Sequence, residues 1–316
     1  MRNRITPFVA ATTAVAAAWA LVAGAGAATA APPCPGAQPP RLVGSVPGAA
    51  LEGLTVDRAG RLYASDAASG RVFRLSRPGA PAVAIARVPD GSAGGLAWTP
   101  GGTLLVGYGN AGVLAGDALR PAGIARLDVR SRVLRPWVGG LSAANGLTVS
   151  RAGNVYATND FGNQIARISP AGRVQPAWGS LPSANGAVLG RGDRFLYLAR
   201  TFVNPGVSRV STSNPRVVQN LLTVGYGDAP DGLTLDSRDR PIVPFNLSGR
   251  IVRVTAPGRY CVLASGLPTS SVVTYGRGDR GFSAGRLYRA GFDGRIYEIP
   301  AGFDRAARTH TAEGQR

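Results

Sequence analysis

The chain contains no lysine: all 35 of its basic residues are arginine. Schiff-base chemistry and a P-loop lysine on a nucleotide phosphate are therefore excluded. Histidine is almost as scarce. The single imidazole, His310, lies in a polar C-terminal tail, 303–316, so neither a Ser–His–Asp triad nor a multi-histidine zinc site can be assembled in a formed pocket. Glutamate is limited to Glu52, Glu298 and Glu313, and cysteine to Cys34 and Cys261. After the first thirty residues no segment carries a convincing helical period. An apolar share of 45%, with 44 glycines that follow no period of three, excludes a disordered or collagen-like chain. Any chemistry falls to Asp, Asn, Arg and very few Glu.

The N-terminus reads as an address. Arg2 and Arg4 precede an Ala/Val/Leu-rich stretch through Val22, and small residues lead to Ala28-Thr-Ala30. This is the pattern of a secretory leader, 1–30, cleaved near Ala30. A membrane anchor is the weaker alternative, because the stretch is rich in Gly and Ala and ends in an A-x-A site. The expectation is a secreted, extracellular protein with no membrane span once the leader is removed. A short Pro-rich segment, 31–40, follows.

The net charge of +18 invites a nucleic-acid partner. The arginines, however, are spread along the chain, no two adjacent, with few interleaved aromatics, whereas nucleic-acid binders gather charge into a face or stripe. No specific nucleic-acid binding is expected. Loose attraction to acidic polymers stays open.

Self-similarity is the strongest signal present. Leu51-Glu-Gly-Leu-Thr-Val-Asp-Arg-Ala-Gly-Arg-Leu-Tyr-Ala-Ser-Asp66 returns as Ala144-Asn-Gly-Leu-Thr-Val-Ser-Arg-Ala-Gly-Asn-Val-Tyr-Ala-Thr-Asn159, and again from Pro230-Asp-Gly-Leu-Thr-Leu235. Weaker copies begin at Gly94, Asn185 and Ser271. Each copy is an apolar run, a tight polar turn, a second run rich in β-branched or aromatic residues, an alternating third run and a fourth. Four strands, six times, at roughly 40–50 residues per copy, predict an all-β six-bladed propeller over 41–302. The last copy shows only three strands. Arg41-Leu-Val-Gly-Ser-Val46 is the spare strand expected to complete it. Cys34 lies just ahead of that strand and Cys261 in the outer strand of blade five, so the pair is expected to form a disulfide that staples the closure.

In such a ring the innermost strand of each blade starts near the axis. The residues before the recurrent glycine, Glu52, Gly94, Asn145, Asn185, Asp231 and Ser271, should therefore converge on one spot. Glu52, Asn145, Asn185 and Asp231 bring carboxylate or amide oxygens, costly at the head of an apolar strand unless paired. Two carboxylates and two amides make a hard site suited to one Ca²⁺. The alternative is that Asn-Gly and Asp-Gly merely form turns, which does not account for Glu52. Asp66, Asn110, Asp160, Phe202 and Asn246 follow the second strands and should form the pocket rim.

The Glu-Gly, Asn-Gly-Leu, Asn-Gly and Pro-Asp-Gly order, at blade spacing from Leu51 to about Pro300, resembles the senescence marker protein/gluconolactonase/luciferin-regenerating enzyme family. The resemblance implies a calcium-type hydrolase acting on a small-molecule lactone or organophosphate ester. It makes Glu52, Asn185 and Asp231 metal ligands, Asn145 a fourth ligand or a substrate contact, and Asp231 the general base or nucleophile. Gluconolactonase-type members carry an arginine two residues before the blade-three asparagine; here Ala143 stands there. Nothing in the rim names a sugar.

Three further motifs carry little weight. Gly107-Tyr-Gly-Asn-Ala-Gly112 matches a dinucleotide-binding run without a following helical pattern. Arg191-Gly-Asp193 and Arg277-Gly-Asp279 fall where tight turns are expected. Asn246-Leu-Ser248 matches a glycosylation sequon. The expected molecule is a monomeric, secreted Ca²⁺-dependent hydrolase. The alternatives are a non-catalytic propeller that binds a peptide, glycan or cell-envelope partner through the same axial face, and then a lyase or condensing enzyme on the same fold.

Overall fold

The structure, a computed structural model, describes residues 31–307. Residues 1–30, where a secretory leader is expected, and those from 308 onward, including His310, lie outside the described part. Six four-stranded antiparallel sheets form six blades. The inner strands are Leu51–Val56, Ala93–Trp98, Leu147–Val149, Ala184–Leu189, Thr234–Leu235 and Ser270–Tyr275. They are apolar and nearly all buried, whereas outer strands such as Val83–Arg87 are largely exposed. That gradient follows from position, since an inner strand is covered on both faces by its neighbours. The core lies between blades: Tyr63 of blade one meets Trp98 of blade two edge-on, 5.4 Å between centroids.

The ring closes as the spare strand predicts. Arg41–Ser45 pairs antiparallel with Arg295–Ile299, Arg41 opposite Glu298. Glu298 Oε1 accepts from Arg41 at 2.8 Å and from Arg286 at 2.6 Å. The disulfide Cys34–Cys261 is present, Cα–Cα 4.9 Å, and Pro33 runs parallel to Val262 in blade five. The tail is not wholly free of the body. Asp304 Oδ2 accepts from the Ser237 amide at 2.9 Å, and Ala307 is buried in the core.

The recurrent glycines explain how tightly the axis closes. A Cβ on Gly53 would sit 2.6 Å from the Gly94 carbonyl oxygen, one on Gly146 2.4 Å from that of Asn185, and one on Gly232 2.8 Å from that of Ser271. Each glycine thus lets its strand approach the equivalent axial residue of the next blade. None of these three, nor Gly186, has positive φ. Turn formation therefore does not account for the Asn-Gly and Asp-Gly pairs.

Topology also gathers the arginines that the sequence spreads out. Turns at the opposite end of the axis carry arginines in every blade, among them the exposed Arg58, Arg132, Arg151, Arg191, Arg238 and Arg280. Both Arg-Gly-Asp triplets fall in these turns, the first as a short 3-10 turn.

Candidate functional site

Inner strands deliver their first polar residue to the axis by a local break in pairing. In blade one Leu51 pairs with Asp66 and Gly53 with Ser65, so Glu52 drops out of the ladder. In blade four Ala184 pairs with Arg200 and Ala187 with Leu198, which releases Asn185 and Gly186. Such bulges re-aim a side chain. Hydroxyls just past the second strands hold the arrangement from behind: Thr158 Oγ1 donates to the Asn185 carbonyl, and Thr201 Oγ1 donates to that of Pro230 at 2.7 Å.

Glu52, Asn145, Asn185 and Asp231 accordingly line both a narrow axial channel of about 90 Å³ and the cavity of about 240 Å³ that opens above it. Gly94 brings no side chain. Ser271 is fully buried, and its hydroxyl donates to the Leu51 carbonyl. Asn246 Nδ2 donates to Asp231 Oδ2 at 3.1 Å, and the Gly232 amide to Oδ1 at 2.9 Å. Asn145 Nδ2 donates to Asp160 Oδ1 at 3.3 Å.

Asp160, a rim residue by sequence, is the third carboxylate of this cluster. Burial pushes its carboxyl up to about 7. Burial, with the Asp160 charge added, pushes Asp231 up to about 8. Glu52 is held well above the ordinary carboxylate range by burial first, then by Asp231 and Asp160. Like charges in a desolvated site resist ionising together. Two oxygens there have no hydrogen-bond partner within the protein, Glu52 Oε2 and Asn185 Oδ1, and both are buried. Buried acceptors are rarely left so. Among the described residues no three His, Cys, Asp or Glu side chains form a metal-binding group by themselves. A donor set of two carboxylates and two amides, with two orphaned oxygens, fits a hard oxygen-loving cation.

The rim divides. Phe202 and Asn246 line the cavity. Asp66 does not: its Oδ1 accepts from the Ala50 and Ala68 amides and its Oδ2 from Ser69, so it braces a turn. Asn110 opens the 3-10 turn Asn110–Ala115, and its side chain lies outside the described part. The sequon asparagine, Asn246, is committed to Asp231. Phe161 and Phe292 line the cavity and were not anticipated. Phe292 follows the second strand of blade six, the one blade for which the rim pattern named no residue.

Structures similar to this chain share its ring of blades. A gluconolactonase from Xanthomonas campestris matches at 17% identity with a TM-score of 0.67, covering 87% of this chain and 98% of its own. A regucalcin from Agrobacterium tumefaciens, described as a calcium-binding protein, matches at 16% identity and 0.67, covering 90% and 99%. The fold is that of the gluconolactonase and regucalcin propellers. Virginiamycin B lyase from Staphylococcus aureus is also similar, at 18% identity and a TM-score of 0.54, covering 81% and 86%; a His→Ala variant of that lyase is catalytically inactive. No family model and no curated protein matches the chain.

Proposed function

We propose that this protein is a Ca²⁺-dependent hydrolase of lactones or related esters, including phosphotriesters. The observation that carries this is the pair of orphaned oxygens, Glu52 Oε2 and Asn185 Oδ1, inside a cluster of three buried carboxyl groups at the base of a cavity. Glu52, Asn145, Asn185 and Asp231 would hold the ion, which when bound polarises a carbonyl or phosphoryl oxygen. Asp231 has one oxygen held by Asn246 and the other by its neighbour's amide, so its carboxylate is fixed in one orientation. So fixed, it can take a proton from water or attack the substrate directly. Asn145 spans the cluster and restrains Asp160. Among the described residues no imidazole lines this cavity, and the donor set there is carboxylate and amide oxygen, which favours the hydrolase over lyase chemistry of the Staphylococcus aureus kind. A disulfide suits an oxidising, extracellular setting, in keeping with the leader pattern.

The exposed Phe161 and Phe292 at the rim favour a second reading, a binding module for a peptide, glycan or cell-envelope partner. The deciding experiment is metal analysis of purified protein, followed by a panel of lactones and aryl phosphotriesters with and without chelator. Chelator-sensitive turnover supports the hydrolase; its absence on every lactone and ester transfers the site to the binding module.

A further inference from the structure

The cavity is apolar where a substrate would extend away from the carboxylates. Its wall is built by Phe161, Phe202 and Phe292, with Val113, Ala67 and Ala229 between them. The rings of Phe161 and Phe202 lie 4.6 Å apart, tilted by 35°. Phe161 and Phe292 remain 41% and 42% exposed, so they stand at the mouth. The volume of about 240 Å³ is below the roughly 300–1,000 Å³ of pockets for drug-sized ligands. It suits one small ring with a short substituent.

Among the described residues no arginine lines this cavity, although the chain carries 35 basic residues. Three arginines close to lining residues in sequence are committed elsewhere. Arg200 donates to Asn220 Oδ1 at 2.8 Å and Arg289 to Asp293 Oδ1 at 2.8 Å, while Arg250 pairs with Asp228 at 2.5 Å. Several polar groups of the lining are tied within the protein: Thr201 to the Pro230 carbonyl, Asn145 to Asp160, and Asn246 to Asp231. A polyol would press hydroxyls against three phenyl rings, and a buried unpaired hydroxyl is costly. An anionic substrate would meet three carboxyl groups and, among the described residues, no cationic side chain. An alkyl or aryl group gains by leaving water, and an aryl group also gains by ring contact with the phenylalanines.

The structure assigns a substrate class: neutral lactones or esters bearing an alkyl or aryl substituent, held against Phe161, Phe202 and Phe292, in preference to sugar lactones and anionic esters. This rests on the hydrolase proposed above, and the test separates the two.

The Ca²⁺-loaded protein is assayed on γ-butyrolactone, on γ-lactones with lengthening alkyl chains, and on glucono-δ-lactone. In parallel, calorimetry measures binding of 2-hexylcyclopentanone, which cannot be hydrolysed. The expected result is kcat/KM rising about fourfold per methylene until the cavity is full, with gluconolactone at least ~10-fold below the best alkyl lactone, a modest share of what one unpaired polar group costs. Phe161→Ser with Phe292→Ser replaces exposed side chains and should leave the fold intact. It should raise KM for the hexyl lactone with little change in kcat, a larger loss than on unsubstituted lactone, and it should weaken ketone binding. Gluconolactone turned over as well as the alkyl lactones would overturn the substrate class and leave the hydrolase standing. Ketone binding without any lactone turnover would overturn the hydrolase and support the apolar pocket. If the ketone does not bind and no lactone is turned over, both fall.

Discussion

Asn246 reaches Asp231 from just past the second strand of its own blade, Nδ2 to Oδ2 at 3.1 Å, and so ties the metal-ligand candidate to the pocket rim. Together with the Gly232 amide on Oδ1, this orients the carboxylate without neutralising it. Asp231→Asn keeps the shape and one oxygen ligand but loses basicity and nucleophilicity. The variant should fold, retain some Ca²⁺ and lose at least ~10²-fold in hydrolysis, the low end for a positioned acid–base group. Equal turnover by the metal-loaded Asn variant would reduce Asp231 to a ligand.

In the proposed site Glu52 would act in opposite directions with and without the ion. With the ion bound it would supply formal charge to a hard site; without it, its charge sits beside Asp231 and Asp160. Glu52→Gln should weaken Ca²⁺ binding by at least ~10-fold, since charge count tunes such sites. It should also raise the melting temperature of the chelated protein. Calorimetric titration and paired melts in chelator read both signs. Equal metal content in wild type and variant would remove Glu52 from the ligand set.

The same cluster sets a pH dependence for the chelated protein. Burial raises Asp160 to about 7 and Asp231 to about 8, with Glu52 also raised, whereas unfolded carboxyls titrate near ~4. A raised folded value means that the native state holds protons the unfolded chain has released. Their contribution to stability is full below about pH 4 and is lost as pH rises through 7 to 8. Ca²⁺ favours the ionised forms and removes that loss. The gap between calcium-loaded and chelated melting temperatures should widen from pH 5 to pH 8.5. A gap that narrows over this window would contradict the cluster.

The blades were legible because each is a local pattern repeated, with the apolar inner run and the polar turn close in sequence. The axial residues were legible for a related reason, since the glycine that admits the next blade follows them directly. The rim was less so. Asp66 and Asp160 both follow second strands, yet Asp66 turns to the Ala50 amide while Asp160 turns to Asn145. What separates them is a partner sixteen or fifteen residues away in sequence, brought close only by the fold. Phe161 and Phe292 read as ordinary loop residues until the loops are placed around one cavity.

Gly186 tests the axial closure itself. A Cβ there would meet Gly232 Cα at 2.5 Å and the Leu233 amide nitrogen at 2.7 Å, both backbone atoms that cannot swing aside. Gly186→Ala should destabilise by about 1–3 kcal/mol, the usual range for overpacking, and should lower metal affinity because Asn185 is displaced with it. Gly101→Ala is the control: nothing lies within 4 Å of its Cβ and its φ is not positive. That variant should be neutral or slightly stabilising. A melt of Gly186→Ala indistinguishable from the control would mean that the blades can part without cost.

The disulfide works on closure from the outside. Cys34 and Cys261 are 227 residues apart, and the Cys34 amide donates to the Val262 carbonyl at 2.7 Å beside them. The bond therefore joins the segment leading into the closing strand to the outer strand of the preceding blade. Loop entropy alone gives on the order of 5 kcal/mol, an upper figure because unfolded chains keep residual structure. The serine double variant of Cys34 and Cys261 should melt at a lower temperature while it binds metal as the wild type does, because the proposed ligands lie at the heads of inner strands and the bond in an outer one. Intact mass under non-reducing conditions should show no free thiol. Two alkylatable cysteines in native protein, or metal lost along with the bond, would mean that the ring and the site are held together in some other way.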